Sequence, residues 1–161
     1  MRIHLGHHFY GAGNLGDDLM LAGFLRALEE QEPGAEVTGA VPFDRGALAA
    51  RFPRITWHGM EREERRACIA ACDAWLGLGG SPFQHAQSRW FIDHLAEEAA
   101  LCREPGRPMH FLGIGVQDAG ELADAAVRAV LRQAAGTWTR DAASARRIQS
   151  FDASVRVAAA A

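Results

Sequence analysis

The chain has 161 residues, a formal net charge of −3, 48% hydrophobic residues and 23% charged residues. This length can bury a substantial core, and we expect one domain over residues 1–161. The charge balance gives no basic surface for nucleic acid, no apolar run reaches the roughly 18 residues that cross a bilayer, and the N-terminus lacks a secretory signal. We therefore expect a cytoplasmic protein that neither binds nucleic acid nor spans a membrane.

Short apolar segments alternate with helical patterns along the chain, which indicates repeated βα units. The segments 74–78 and 109–114 are continuously apolar, so we expect central parallel strands covered on both faces. The predicted fold is α/β, with a doubly wound, mostly parallel Rossmann-like sheet flanked by helices. Strands are predicted at residues 2–8, 36–41, 54–58, 74–79, 109–114, 136–139 and 154–158. Helical apolar stripes are formed by Leu19, Leu21, Ala22, Leu25 and Leu28, by Ala67, Cys68, Ile69 and Ala71, by Phe91, Ile92, Leu95, Ala99 and Leu101, and by Leu122, Ala126, Val130 and Leu131.

The cysteine and histidine positions give no metal-binding pattern. The three cysteines are not spaced like a zinc site. His7 and His8 are adjacent on the first strand and point to opposite faces, so they cannot both hold one metal ion. We expect no metal, and His8 is a candidate for substrate contact or acid–base work. The histidines expected at the surface or in loops are His58, His85 and His94.

The first turn contains a literal G-x-G-x-x-G at residues 11–16, between a predicted strand and a predicted helix. This is the context of a dinucleotide-binding fingerprint. However, Asp17 and Asp18 follow at once, and two carboxylates in the first helical turn would repel a pyrophosphate. The dinucleotide interpretation is therefore disfavoured. The two aspartates are either functional groups or simple partners of the helix dipole.

The second turn, residues 77–84, is also rich in glycine. We expect Ser81 to be the N-cap of a helix with Pro82 at its first position. In that arrangement the amides of Gly79, Gly80 and Ser81 could hold a small anion. A simple capped turn explains the same pattern equally well.

Two further turns follow the fifth and sixth predicted strands. Gly113 and Gly115 remove side chains at a strand end, so a ligand can approach the backbone there. Arg140 stands at the end of the next strand, and a guanidinium binds a carboxylate or phosphate through two hydrogen bonds. An ion pair with Asp141 or Asp17 is the structural alternative for Arg140.

Taken together, these turns resemble the N-terminal half of the polysaccharide pyruvyl transferase family in order and spacing. The matching segments are Y-G-A-G-N-L-G-D-D at 10–18, G-L-G-G-S at 77–81, G-I-G at 113–115 and T-R-D-A-A-S at 139–144. The resemblance covers about residues 3–148. The chain differs from the family pattern at Asp18, where a glutamate is usual, and at Leu78, which interrupts a glycine triplet.

The resemblance implies a two-domain architecture of the glycosyltransferase-B type, of which this chain is one half and from which the C-terminal partner domain is absent. It implies transfer of a pyruvyl group from phosphoenolpyruvate to a sugar of a cell-surface polysaccharide, free or lipid-linked, without a cofactor. The isolated chain is then expected to be inactive or nearly so. The implied catalytic residues are Asp17 and Asp18, for hydroxyl activation or sugar binding, and Arg140, for the donor's carboxylate or phosphate. The implied substrate-binding residues are Asn14, Gly16, Gly79, Gly80, Ser81, Gly113, Gly115 and His8.

Two other functions fit the sequence. The acceptor-side domain of a nucleotide-sugar glycosyltransferase shares the expected architecture and would bind its nucleotide in the missing half. A non-catalytic binding or scaffold domain would instead be a stable monomer without a large exposed apolar surface.

Overall fold

A computed structural model of the protein describes residues 1–6, 9–42, 44–84 and 89–159. Strands and helices alternate through these ranges, as repeated βα units require. The strands are β1 (Arg2–Leu5), β2 (Glu36–Ala40), β3 (Ile55–His58), β4 (Ala74–Leu78), β5 (Met109–Ile114), β6 (Gly136–Thr139) and β7 (Val157–Ala159). The helices are α1 (Leu15–Gln31), α2 (Arg45–Arg51), α3 (Arg62–Ala71), α4 (Trp90–Arg103), α5 (Ala125–Gln133) and α6 (Ala142–Phe151), with a 3₁₀ turn at Ala119–Ala123.

The residues cluster into two compact units, an N-terminal unit, Met1–Leu78, and a C-terminal unit, Gly79–Ala161. In the N-terminal unit the strands pair in the order β3-β2-β1-β4, and each pairing is parallel. The chain runs outward from β1 to β3 and then returns to the other side of β1, which makes the arrangement doubly wound. In the C-terminal unit β5, β6 and β7 pair in parallel in that order. The predicted Rossmann-like α/β fold is confirmed, while the single domain over residues 1–161 stays a prediction.

The seven predicted strands all occur near their predicted positions, but the burial of β5 differs from the expectation. Met109 and Phe111 are buried, whereas the alternate residues His110 and Leu112 are only half-buried. The register partner of Leu112 in β6, Trp138, is 41% exposed. Alternate strand residues point to opposite faces, so one face of β5 and β6 is partly open. The expectation that β5 is covered on both faces is therefore wrong.

Three expectations about helices are also wrong in part. In α3 Ile69 of the predicted apolar stripe is buried, whereas Ala67 and Ala71 are exposed. In α1 the buried stripe is Leu21, Leu25 and Leu28, whereas Leu19 is 62% exposed and Ala22 is exposed. Positions 21, 25 and 28 follow the helical repeat, and the other two fall outside that face. In α4 His94 is buried rather than at the surface, and its Nε2 lies 3.6 Å from Oε1 of the buried Glu98. Within the described ranges, every helix is too short or too polar to cross a membrane.

Candidate functional site

The turn between β1 and α1 is closed by the side chain of Asn14, the N-cap of the helix. Its Oδ1 accepts a hydrogen bond from the Gly16 amide at 3.1 Å, and its Nδ2 donates to Oδ2 of Asp17 at 2.8 Å. Asn14 therefore satisfies one of the unpaired amides at the helix start and also orients a carboxylate. The two acidic residues of this first helical turn lie where the helix dipole favours negative charge.

Asp18 fastens the same turn to α2. It is 3% exposed, its Oδ1 accepts a hydrogen bond from the Gly11 amide at 2.8 Å, and its Oδ2 lies 2.6 Å from Nη1 of Arg51. Gly11 has a φ of +78°, and a Cβ at this position would lie 2.6 Å from the Leu48 side chain. A residue with a side chain would be strained there and would collide with α2. Both Asp18 oxygens are thus engaged in holding the turn.

Tyr10 and Asp17 are two further buried polar residues of this turn. Tyr10 is fully buried and Asp17 is 5% exposed. Burial, and after it the negative charge of Asp17, raises the pKa of Tyr10 well above its usual value. The phenol therefore keeps its proton. Tyr10 is closed to a ligand and Asp17 nearly so, whereas Asn14 is exposed and its amide can pair with a ligand that carries hydroxyls.

The turn after β4 does not begin a helix, so the predicted cap at Ser81 and Pro82 is wrong. Instead, the Gln84 amide donates a hydrogen bond to the Ser81 carbonyl at 3.3 Å, and the next described helix begins at Trp90. The two glycines before Ser81 adopt φ values of +63° and +69°. Glycine adopts this left-handed conformation without the strain that a Cβ would bring.

The predicted anion cradle in this turn is smaller than expected. The Gly79 amide donates to the Leu112 carbonyl at 2.7 Å, so it is already engaged. The Gly80 carbonyl accepts a hydrogen bond from the Gly115 amide at 2.8 Å, which ties the turn to the end of β5. Within the described part of the chain, the amides of Gly80 and Ser81 donate no hydrogen bond. They are the donors that this turn has available for a ligand.

The loop that follows β5 is fastened to α6. The Val116 amide donates to Oγ of Ser144 at 3.0 Å, and the Val116 carbonyl accepts from Nη1 of Arg147 at 2.9 Å. Ser144 is buried, and its amide and hydroxyl donate to the N-cap residue Asp141 at 2.7 and 3.1 Å. The hydrogen bond from the Ser144 amide is the main reason why the pKa of Asp141 lies below its usual value. The loop and the start of α6 therefore form one hydrogen-bonded group.

Arg140 lies against the backbone of Gly115 at the end of this loop. A Cβ at Gly115 would lie 2.5 Å from the guanidinium carbon of Arg140, so the absence of a side chain makes room for the guanidinium. The Arg140 side chain is 50% exposed, and its Nε lies 3.6 Å from Oδ2 of Asp141. The predicted ion pair with Asp141 is thus present. A pair this long and this exposed is weak, so the guanidinium can exchange it for a ligand.

The C-terminal unit therefore gathers hydrogen-bond donors at the ends of β5 and β6. Nε2 of Gln117 lies 3.4 Å from Oγ of Ser81, on the turn that Gly115 ties to β5. A guanidinium, an amide and a hydroxyl are the donors that bind carboxylate and phosphate oxygens. We refer to Gly80, Ser81, Gln117 and Arg140 as the donor cluster.

The candidate residues fall into two groups. Asn14, Gly16, Asp17 and Asp18 belong to the N-terminal unit, and Gly79, Gly80, Ser81, Gly113, Gly115 and Arg140 belong to the C-terminal unit. His7, His8 and His85 lie outside the described residues, and His58, expected at the surface or in a loop, is half-buried at the end of β3. Sequence reasoning missed the contacts of Arg51 and Arg147, because each binds a partner that is distant along the chain and no local pattern marks them. Comparison with protein-family models and with curated proteins found nothing that matches this chain.

Proposed function

We propose that this chain is a pyruvyl transferase domain that acts with phosphoenolpyruvate as donor and a sugar of a cell-surface polysaccharide as acceptor. The observation that carries the proposal is the half-exposed guanidinium of Arg140, which lies over Gly115 with only a weak partner. The resemblance of the four glycine-containing turns supports it. Phosphoenolpyruvate carries a carboxylate and a phosphate, and both are ligands that a guanidinium binds well.

The donor cluster supports the assignment of the anionic substrate to the C-terminal unit. Arg140 supplies the positive charge, while the Gln117 and Ser81 side chains and the Gly80 amide supply neutral donors. Because Ser144 and Arg147 hold the loop after β5, the Gly115 backbone has a fixed position under the guanidinium. Such preorganised donors bind an anion without first having to be ordered.

The turn before α1 supports the assignment of the sugar to the N-terminal unit. In this proposal the exposed Asn14 binds a sugar hydroxyl and orients the carboxylate of Asp17, which is 5% exposed and takes the hydroxyl proton. Asp18 acts differently in this proposal, since its oxygens hold the turn through Gly11 and Arg51. Asp18 is then a positioning residue for Asp17.

In the proposed reaction the two sugar hydroxyls release two protons, of which one replaces the proton added to the donor and the other leaves with the phosphate. A proton adds to the methylene carbon of phosphoenolpyruvate, and a sugar hydroxyl attacks the central carbon as it loses its own proton. The bond between the central carbon and the phosphate oxygen then breaks, and inorganic phosphate leaves. A second hydroxyl attacks the same carbon, loses its proton and closes the cyclic ketal. Arg140 stabilises the charge on the donor throughout, and Asp17 accepts a hydroxyl proton.

Calorimetric titration of phosphoenolpyruvate into the chain tests this proposal. Arg140→Ala should weaken binding by about tenfold or more, because it removes charge-assisted hydrogen bonds. Arg146→Ala is the matched control, since Arg146 is an exposed arginine of α6 outside the donor cluster. That variant should bind within about twofold of the parent chain.

The titration also separates this proposal from its alternatives. Competition by inorganic phosphate supports contact with the phosphate of the donor. Equal losses of phosphoenolpyruvate affinity in the two arginine variants would show a nonspecific charge effect and overturn the site assignment. Absence of saturable binding to the parent chain would remove the donor site from this chain.

A further inference from the structure

A cleft of about 360 Å³ lies in the N-terminal unit, between α3 and the sheet. The helix lines it with Ala67, Cys68, Ala71 and Cys72, whose side chains are small. Because these side chains fill little of the space between helix and sheet, a void remains. Its volume lies within the range of small-molecule pockets and is about ten times the volume that one water occupies in the liquid.

The sheet side of the cleft carries polar groups. Thr38 and His58 line it, and the register of β1, β2 and β3 places both on the same face as His4. His4 is fully buried, and its Nδ1 lies 2.9 Å from Oγ1 of Thr38. Within the described part of the chain, Nε2 of His4 has no hydrogen-bond partner. His4 is not among the residues that line the cleft, so Thr38 and His58 are the polar side chains on this face of the sheet that a ligand there can reach.

The charges around the cleft favour a neutral ligand. Burial above all lowers the pKa of His4 to about 3, so its imidazole is uncharged at neutral pH. Arg2 lines the cleft but is already paired with Asp73, at 3.4 Å, so the carboxylate of Glu36 at the start of the neighbouring strand disfavours an anionic ligand. The remaining lining is mostly apolar, where an unpaired charge is unfavourable. A ligand hydroxyl suits Thr38 and His58 because it both donates and accepts a hydrogen bond.

We propose that this cleft is a binding site for a small neutral molecule with an apolar body and a hydroxyl group. The site is separate from the donor cluster and from the turn before α1. It uses Thr38 and His58 for the hydroxyl and the small side chains of α3 for the apolar body. Its occupation does not depend on the pyruvyl transfer proposed above.

Cyclohexanol is a suitable probe, and amide chemical shifts of the full chain report its binding. We expect saturable shifts at Thr38, Cys68 and Ala71. Ala71→Leu should weaken binding by about tenfold or more, because its side chain enters the cleft. Ala70→Leu is the matched control, because Ala70 is an alanine of the same helix that does not line the cleft, and it should bind within about twofold of the parent chain. Cyclohexylammonium, which has a similar body with a charge, should bind at least about tenfold more weakly than cyclohexanol.

A second measurement needs no variant and covers the case in which Ala71→Leu does not fold. Cys68 lines the cleft and is half-buried, so a ligand there should slow its alkylation by iodoacetamide. We expect saturating cyclohexanol to slow the reaction by about fivefold or more, as measured by peptide mass spectrometry. An unchanged rate, shifts spread over the whole chain, or equal binding by the two leucine variants would overturn the proposal. The proposal would also be overturned if the structure of a crystal soaked in cyclohexanol showed only water in the cleft.

Discussion

The turn before α1 in the N-terminal unit and the segment before α6 in the C-terminal unit hold their charges differently. Asp18 is 3% exposed and is held by the Gly11 amide and by Arg51. Arg140 is half exposed, and its ion pair with Asp141 spans 3.6 Å. A buried charge is stable only with a full set of partners, whereas an exposed guanidinium is solvated and can exchange water for a ligand. The first arrangement stabilises the fold, and the second is available for binding.

The largest expected effect on folding stability comes from His4, another buried polar residue of the N-terminal unit. Burial above all lowers the pKa of His4 from 6.5 to about 3. Below about pH 6.5 the unfolded chain therefore takes up a proton that the folded protein does not, and folding stability falls as the pH falls toward 3. The His4 contribution is fully present above pH 6.5, and its loss should reach roughly 3 to 5 kcal/mol at the acid end.

Urea unfolding between pH 7 and pH 3 measures this loss. His4→Gln should flatten the profile, because glutamine does not titrate. His58→Gln, on the same face of the sheet, should keep most of the pH dependence. If the His4→Gln profile matches that of the parent chain, His4 is not buried in the neutral form, and the contrast between the two units weakens.

The next effect in size is the loss of Asp18. Asp18→Ala removes the acceptor of the Gly11 amide and leaves Arg51 without its carboxylate. Because Arg51 is half exposed and stays hydrated, we expect a loss of about 2 kcal/mol in the free energy of unfolding. Arg26→Ala is the control, since the pair between Arg26 and Glu30 is exposed on both sides and should contribute less than about 0.5 kcal/mol. Equal losses in urea unfolding would show that Asp18 does not fasten the turn.

The smallest effect on stability distinguishes two glycines of the C-terminal unit. Gly115→Ala places a Cβ against the movable guanidinium of Arg140, so stability should fall by less than about 1 kcal/mol while phosphoenolpyruvate binding weakens about tenfold. Gly113 has a φ of +70° and open space around it. Gly113→Ala should therefore lose about 1 to 2 kcal/mol through backbone strain and leave binding nearly unchanged. The reverse pattern in thermal unfolding and calorimetry would contradict the placement of Arg140 over Gly115.

Much of the fold is predictable because its signals are local. Apolar runs bounded by glycine and polar residues locate the strands, and the repeat of Leu21, Leu25 and Leu28 locates the buried face of α1. The predicted cap at Ser81 is wrong although serine and proline suit a helix start, because residue preferences are a weak local signal that tertiary context overrides. The half-buried residues of β5 were not predictable either, because their exposure depends on which elements cover that face of the sheet.

The sequence by itself determined the alternation of strands and helices, the position of the glycine turns and the presence of acidic and basic residues beside them, since each depends on neighbours within a few residues. Only the tertiary structure decided that Asp18 binds Arg51 and that Val116 binds Ser144 and Arg147. It also decided that Arg140 lies over Gly115. These contacts join segments that are distant along the chain, and they form only when parallel strands bring their ends together.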